Sequence, residues 1–254
     1  MSNISIILLT KNEQENLLVW KNWITKLNRV NEIIVIDSNS TDNTKKILKS
    51  FETKNLSIKI FDRELDGNYA LQRNFAVKQT NNDWVLFLDT DETPSSKLLN
   101  YINNTILNDQ FCYSIKRYLV YANHILYHGV SATDYTIRLF NKNFGKFTGP
   151  VHETWSTKNK IIKINEPLFH NSAPNLKIFL SKLNKYSTIR AKELFDQKKK
   201  PSLLHIIIYP KAKFVQYYLY HLGFLDGIPG LTICLAMSFY SFLVRAKLWH
   251  LYHT

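Results

Sequence analysis

The chain has 254 residues, 45% of them apolar, and a formal net charge of +13. That length accommodates one large domain or a domain with an extension, and the apolar content is that of an ordinary globular protein. Two cysteines, Cys112 and Cys234, fit neither a zinc spacing nor a disulfide framework, so both read as reduced core residues of a cytoplasmic protein. Residues 1–13 have no basic n-region, and the apolar run 6–9 is too short for a secretory signal. The charge is uneven. Residues 174–254 hold 12 Lys and Arg against 3 Asp and Glu, a net of +9, whereas residues 1–173 hold 21 against 17, a net of +4. A basic tail on a nearly balanced body points to a phosphate-bearing partner, nucleic acid or anionic lipid.

In chain order, residues 4–10 read as a buried strand and 14–28 as an amphipathic helix carrying Leu17, Leu18, Trp20, Trp23, Ile24 and Leu27. A second strand spans 32–37. Residues 38–42 form a turn in which Thr41 or Asp42 caps the next helix. Strand 58–61, helix 68–80 and strand 84–89 continue the alternation, which predicts an α/β fold with a mostly parallel sheet and helices on both faces. Beyond residue 108 the pattern shifts to mixed strands at 111–121, 124–128, 135–140 and near 160–165. Pro174 marks a boundary. A polar helix over 176–198 follows, and then an apolar, aromatic stretch with basic edges over 203–250. The domain expectation is therefore 1–175, divided into halves 1–95 and 96–175, with a helical extension over 176–254.

The chemistry concentrates at strand ends. In residues 84–92, WVLFLDTDE, an apolar strand ends in Asp89 and Asp91. Alternation along an extended chain puts those two carboxylates on one side, at the sheet edge where open α/β folds bind ligands. Paired hard oxygens suit Mg2+ or Mn2+, and such an ion suits a diphosphate; the alternative is a polar strand end with aspartate as turn former. Thr10, Asn12 and Glu13 follow the first strand, and Asp37, Ser40 and Asp42 follow the second. The first two strand ends can hold a nucleoside, with Asp37 accepting hydrogen bonds from base or ribose. Arg73 and Asn74, in the helix before the aspartate pair, can contact phosphate or sugar. His170 closes a later strand and is either a third metal ligand or a core or acceptor-site histidine. His124 and His128 read as structural. Only seven glycines are present, the first at Gly67, so the opening units contain neither G-x-G-x-x-G nor a Walker A loop. A bound nucleotide would lean on a metal instead.

TKNE at 10–13, EIIVIDSNSTD at 32–42, RN at 73–74 and FLDTDE at 87–92 occur in an order and spacing that resembles glycosyltransferase family 2. TIRLFNK at 136–142, GPVHE at 149–153 and GFLDG at 223–227 are similar to lipopolysaccharide-core β-1,4-glucosyltransferases that act on inner-core heptose. The resemblance implies a GT-A fold and an inverting hexosyl transfer from a UDP-sugar, with Asp91 and Asp89 on the metal. It further implies a carboxylate base beyond the pair, for which Glu153 is the candidate, with His152 orienting it or binding acceptor. His-Glu departs from the Glu-Asp often found there in the family. The tail resembles the membrane-associating tails of that group.

Residues 227–244 are uncharged over 18 positions, near the lower limit for a bilayer span, but Pro229, Gly230, Thr232, Ser238 and Ser241 dilute them. Tyrosines beside Lys211 and Lys213 suit the headgroup zone, so interfacial helices are expected, against a cap on the catalytic domain. The expected partners are a UDP-sugar, a lipid-linked saccharide acceptor and the anionic inner leaflet, which places the protein at the cytoplasmic face of the cell membrane. A nucleotidyltransferase would need a Gly- and Lys-rich phosphate loop after the first strand, and none is present. A nucleic-acid module would lack the aspartate cluster, so no nucleic acid is expected.

Overall fold

The computed structural model describes residues 2–64, 69–149 and 153–253. Its elements are β1 (Ile4–Thr10), α1 (Gln14–Trp20), β2 (Val30–Asp37), α2 (Thr44–Lys49), β3 (Ser57–Asp62), α3 (Tyr69–Lys78), β4 (Trp84–Phe87), β5 (Glu92–Pro94), α4 (Ser96–Asn104), β6 (Phe111–Tyr121), β7 (His124–Ile125), β8 (Tyr135–Asn141), β9 (Gly145–Thr148), β10 (Thr154–Thr157), β11 (Lys160–Ala173), α5 (Leu176–Asp196), α6 (Leu203–Phe214) and α7 (Gly227–His253). The main sheet runs β3-β2-β1-β4-β8-β6-β11-β5. The first four strands are parallel, and β8 pairs antiparallel with both β4 and β6.

Strand alternation divides the apolar residues between two faces. Ile4, Ile6 and Leu8 of β1 pack with Leu17 and Trp20 of α1, Leu48 of α2 and Leu98 and Ile102 of α4. Ile7, Ile34, Ile36, Val85 and Phe87 face the other way, onto Ala70, Ala76 and Val77 of α3 and onto Phe140, Phe147 and Trp155. With both faces covered, the strands read as continuous apolar runs, as parallel strands do. The helix expected over 14–28 stops at Trp20 and resumes only as a short 3-10 turn, Ile24–Lys26. Breaking the helix lets both indoles, 4.4 Å apart between ring centroids, enter the same core.

The chain divides into two compact units, residues 1–117 with 135–169 and residues 118–134 with 170–254. The boundary expected at 175/176 thus falls at 169/170. The excursion 118–134, expected within the catalytic half, packs in the helical unit because Leu119, Tyr121, Leu126 and Val130 join Ala173, Phe179, Leu183, Ile233 and Ala236. Only His124–Ile125 of the strand expected at 124–128 forms, and His128 turns to Asp226. The Asp226 carboxylate accepts from the backbone N–H of His128 at 2.9 Å and meets its Nδ1 at 2.8 Å.

In the helical unit, residues 223–253 form a helix long and apolar enough to cross a bilayer by length and composition. Gly230, Ile233, Cys234, Val244 and Leu248 of that helix are nevertheless buried within the unit. Its start is tight. A Cβ on Gly230 would overlap the carbonyl oxygen of Gly223, and one on Gly223 would lie 2.7 Å from the Tyr217 carbonyl oxygen and 2.8 Å from Cys234 Sγ. Gly230→Ala is therefore expected to cost about 1–3 kcal/mol by overpacking. Thermal unfolding followed by circular dichroism would register that as a Tm lower by several degrees.

Candidate active site

Register aligns Thr10, Asp37 and Asp62 side by side at the carboxyl edge of β1, β2 and β3. The two loops that leave this edge are tied together. Thr10 Oγ1 donates to Asp37 Oδ2 at 2.8 Å, and the backbone N–H and hydroxyl of Ser40 donate to Asp37 at 2.7 and 2.6 Å. Asn12 and Asn39 take left-handed backbone conformations, φ +56° and +59°, which asparagine tolerates. Asn12 donates its N–H to Ser40 Oγ and accepts the Thr41 N–H, both at 2.8 Å. The N–H groups of Glu13 and Gln14 reach Thr44 Oγ1 and Asp42. Asp42 also accepts the Thr44 N–H at 3.0 Å, one residue ahead of the N-cap position, which Asn43 occupies. Lys45 bridges Asp37 at 3.5 Å and Asp62 at 2.5 Å. Burial works to raise the pKa of Asp37, but the hydrogen bonds from Ser40 and Thr10, together with Lys45, outweigh it and hold the carboxyl below its ordinary range. Thr10, Asn12, Glu13, Asp37, Ser40 and Asp42 thus form one bonded scaffold. Asp37, expected to accept from a nucleoside, is fully buried and bonded within the protein on both oxygens.

The acidic turn differs from the expectation. Strand β4 ends at Phe87, and Asp89–Glu92 close a turn in which the Glu92 N–H donates to the Asp89 carbonyl at 3.0 Å. Asp89 and Asp91 therefore sit on a β-turn rather than on one face of an extended strand. Aspartate's turn preference prevails there over the apolar run behind it. Trp20 Nε1 fastens the turn by donating to the Thr90 carbonyl at 2.9 Å. Beneath it lies a charge network that sequence reasoning missed. Arg138 of β8, 2% exposed, donates to Asp89 Oδ2 at 2.5 Å and to Glu92 Oε1. Glu92 is fully buried, accepts the Asp89 N–H at 3.0 Å and pairs with Arg117 at 3.3 Å. Burial alone would lower the pKa of Arg138, but Asp89 and Glu92 raise it above its ordinary value. The signal available in sequence was a lone arginine in an apolar strand, since a buried arginine requires carboxylates beside it.

Arg73 joins the turn to Glu153. Its guanidinium lies over the Phe87 ring, 4.0 Å from the centroid, and its Nη2 meets Glu153 Oε1 at 2.5 Å and Asp89 Oδ1 at 3.7 Å. Burial lowers the Arg73 pKa, as does the neighbouring Arg138, and Asp89 and Glu153 oppose the shift. The candidate base and the aspartate turn, 64 residues apart in sequence from Asp89 to Glu153, therefore share one cation. Asn74, expected on phosphate or sugar, instead clasps the backbone of β9: its Nδ2 donates to the Phe147 carbonyl and its Oδ1 accepts the Phe147 N–H, each at 2.8 Å. His152 lies outside the described residues. His170 lies half-buried on β11 in the helical unit. Among the described residues, no group of three or more His, Cys, Asp or Glu side chains is disposed to hold a metal ion. Asp89 is turned toward arginines, and Asp91 stands half-buried two residues on.

Known proteins agree with this architecture. The family model "Glycosyl transferase family 2" matches residues 5–163. An uncharacterized glycosyltransferase of Rickettsia bellii is 31% identical over 96% of this chain and 85% of its own length. The lipopolysaccharide core biosynthesis glycosyltransferase LpsC of Rhizobium meliloti is 24% identical over 89% of this chain and 85% of its own. The mannosyltransferase PcManGT of Pyrobaculum calidifontis, solved with GDP-Man and Mn2+, shares the fold with a TM-score of 0.61 at 13% identity, over 98% of this chain and 87% of that one. The fold and its carboxylate-lined edge define an enzyme, a glycosyltransferase of GT-A architecture. The chain belongs to glycosyl transferase family 2.

Two substitutions probe the network. Arg138→Leu leaves the buried Glu92 carboxylate with the longer Arg117 contact and is expected to cost about 3–5 kcal/mol in urea unfolding, of which Arg138→Leu combined with Glu92→Leu recovers a part. Asp37 has a folded-state pKa below its unfolded value, so its contribution is present above about pH 4 and is lost as pH falls through the folded pKa. Asp37→Asn is expected to be about 1–2 kcal/mol less stable than the wild type at pH 7. In unfolding curves measured from pH 7 to pH 3, that gap narrows below about pH 4.

Proposed function

We propose that the protein transfers a hexose, glucose from UDP-glucose, to inner-core heptose of a lipopolysaccharide or lipooligosaccharide, with inversion and with Mg2+ or Mn2+. The observation that carries the chemistry is the Arg73 bridge, which sets Glu153 and Asp89 on one cation beside Asp91. The acceptor class rests on the similarity to LpsC and on the 136–142, 149–153 and 223–227 motifs.

The charges present favour a metal. Arg73 meets Asp89 and Glu153, Arg138 meets Asp89 and Glu92, and Arg117 meets Glu92, so each of the three arginines is engaged by carboxylates. A donor diphosphate brings more negative charge to a site whose arginines are already engaged. Carboxylate oxygens are hard donors, and Mg2+ commonly takes only one or two of them, with substrate phosphates and water completing its shell. Asp91, seconded by Asp89, fits that role. Such an ion neutralises charge on the departing diphosphate.

The residues of the chain do the rest. The acceptor hydroxyl oxygen attacks the anomeric carbon, the bond from that carbon to the diphosphate oxygen breaks, and its electron pair leaves with the nucleoside diphosphate. The hydroxyl proton passes to Glu153. Arg73 holds Oε1 of that carboxylate, leaving Oε2 to receive the proton, and fixes the base against the turn. The Thr10–Asp37 scaffold holds the loops of the nucleoside end in shape.

Thermal shifts with UDP, GDP, CDP and dTDP, each with and without Mn2+, test the donor. UDP with Mn2+ is expected to raise Tm, and Asp91→Ala to abolish the shift. Glu153→Gln is expected to keep the shift but lose roughly 10²–10⁴ in kcat when UDP-glucose is assayed with a heptose-bearing acceptor. A shift with GDP alone would reassign the donor, and full activity in Glu153→Gln would remove the base.

A further inference from the structure

We propose that Lys116, Tyr135 and Lys163 form a subsite for an anionic group, a phosphate or a carboxylate, carried by the acceptor saccharide. The inference deepens the transferase reading above and rests on it for the ligand's role as acceptor.

The three side chains meet across adjacent strands, with β6 lying between β8 and β11 in the sheet. Tyr135 opens β8 and stands directly opposite Lys116 of β6. Its hydroxyl donates to Asn165 Oδ1 of β11 at 2.7 Å, so the phenol reaches across β6 and is fixed at its far end. Lys116 Nζ lies 4.8 Å from the ring centroid and Lys163 Nζ 4.9 Å. The negative face of an aromatic ring attracts an ammonium group, and here one ring gathers two. Lys116 is 6% exposed, whereas Lys163 and Asn165 are open to solvent. Like charges held on one ring repel each other, and an anion drawn to both offsets that repulsion.

Position identifies the ligand. Strand β8 is antiparallel to β4, with Trp84 opposite Asn141 and Leu86 opposite Leu139. Lower numbers on β8 therefore run out past the end of β4, beyond the edge from which the acidic turn leaves. Tyr135 is three positions before Arg138, roughly 10 Å along the strand, and Arg138 holds Asp89. The face is the right one too. On β6, Tyr113 and Ile115 pack with Ile4 and Leu17, whereas Cys112 packs with Phe87 and Phe147. Lys116 alternates with Cys112 and shares its face, on which Arg73 lies over Phe87 and meets Glu153. The sheet order β1-β4-β8-β6 separates Lys116 from the Thr10 end of the other scaffold by three strand spacings, roughly 14 Å. The acidic turn, which follows β4, falls between them. A ligand at Lys116 and Lys163 is thus on the side that delivers a hydroxyl to Glu153, not on the side of the nucleoside. Ammonium groups bind phosphate and carboxylate oxygens through charge-assisted hydrogen bonds, so the acceptor class this subsite selects is an acidic saccharide.

The test is a chemical-shift titration of the isotope-labelled full chain, with UDP and Mg2+ present, read at the amides of Thr136 and Asn165. The probes are mannose 6-phosphate, glucuronate, free mannose and inorganic phosphate. Mannose 6-phosphate or glucuronate is expected to bind at least roughly tenfold more tightly than free mannose, and whichever of the two binds identifies phosphate or carboxylate as the group recognised. Lys163→Gln is expected to remove that preference and Lys163→Arg to keep it. Lys163 is exposed, so an unchanged Tm without ligand shows that both variants remain folded. Equal binding of free mannose and the acidic sugars, or a preference that survives Lys163→Gln, would overturn the subsite. Inorganic phosphate binding as tightly as the sugar phosphate would reduce it to an adventitious ion only. These results are distinct from failure of the transferase reading, which would appear as no thermal shift with any nucleoside diphosphate; an acidic-sugar preference that persisted in that case would overturn the acceptor role and leave an anion site of another kind.

Discussion

The contact between buried Arg138 and the carboxylates of Asp89 and Glu92 determines the shape of the acidic turn at the candidate site. A guanidinium in an apolar sheet is tolerable only with carboxylates at bonding distance, and a buried glutamate only with cations beside it. Each therefore requires the other. Because Arg138 stands on β8 and Glu92 on β5, the pair ties two separate strands to the turn that follows β4. The Asp89 N–H donating to Glu92 closes the loop on itself. An isolated Asp-Thr-Asp turn would sample many shapes, whereas this one is held by an arginine below, an indole at the Thr90 carbonyl and a second arginine at its side. Preorganisation of this kind is what a site needs if charge is to be stabilised without rearrangement during reaction.

Much of this was legible in the sequence because it depended on local pattern. The runs 4–10 and 32–37 are apolar throughout, and that signals parallel strands covered on both faces. The residues after them lie where such a sheet presents its ligand edge, and the structure does bring Thr10, Asn12, Asp37, Ser40 and Asp42 together. Periodicity does not say which way a carboxylate turns, so Asp37 was expected to face a ligand and is instead consumed by the scaffold. Arg138 and Glu92 were illegible for a related reason. Their pairing spans 46 residues in sequence, and nothing local to TIRLF marks its arginine as a partner for the acid that ends FLDTDE. The helix 14–28 broke for a tertiary reason, the entry of two indoles into one core, which overrides helical periodicity.

The division at 169/170 follows the same logic. Residues 118–134, read largely as strand at 111–121 and 124–128, are expected with the strands around them, yet their apolar side chains pack with α5 and α7. Local conformation and packing partner are separate properties, and only the first leaves a periodic trace. The Asp226 carboxylate shows this too. Within a basic, apolar tail it resembles a stray charge, but it satisfies two backbone N–H groups and His128, and so ends the excursion it anchors.

The scarcity of glycine bears on how this fold manages phosphate. Enzymes that cradle phosphates with backbone N–H groups use glycines where the chain must approach closely. The loops after β1 and β2 contain none, and their left-handed positions are filled by Asn12 and Asn39. Asparagine side chains then spend themselves on the neighbouring loop, so rigidity is obtained by cross-linking rather than by backbone freedom. Such loops can shape one end of a pocket. The arginines near the acidic turn are each matched to carboxylates. On the reading proposed above, the positive charge that a leaving diphosphate requires would come from a divalent cation, with half-buried Asp91, beside an arginine-bound Asp89, as the hard oxygen that meets it.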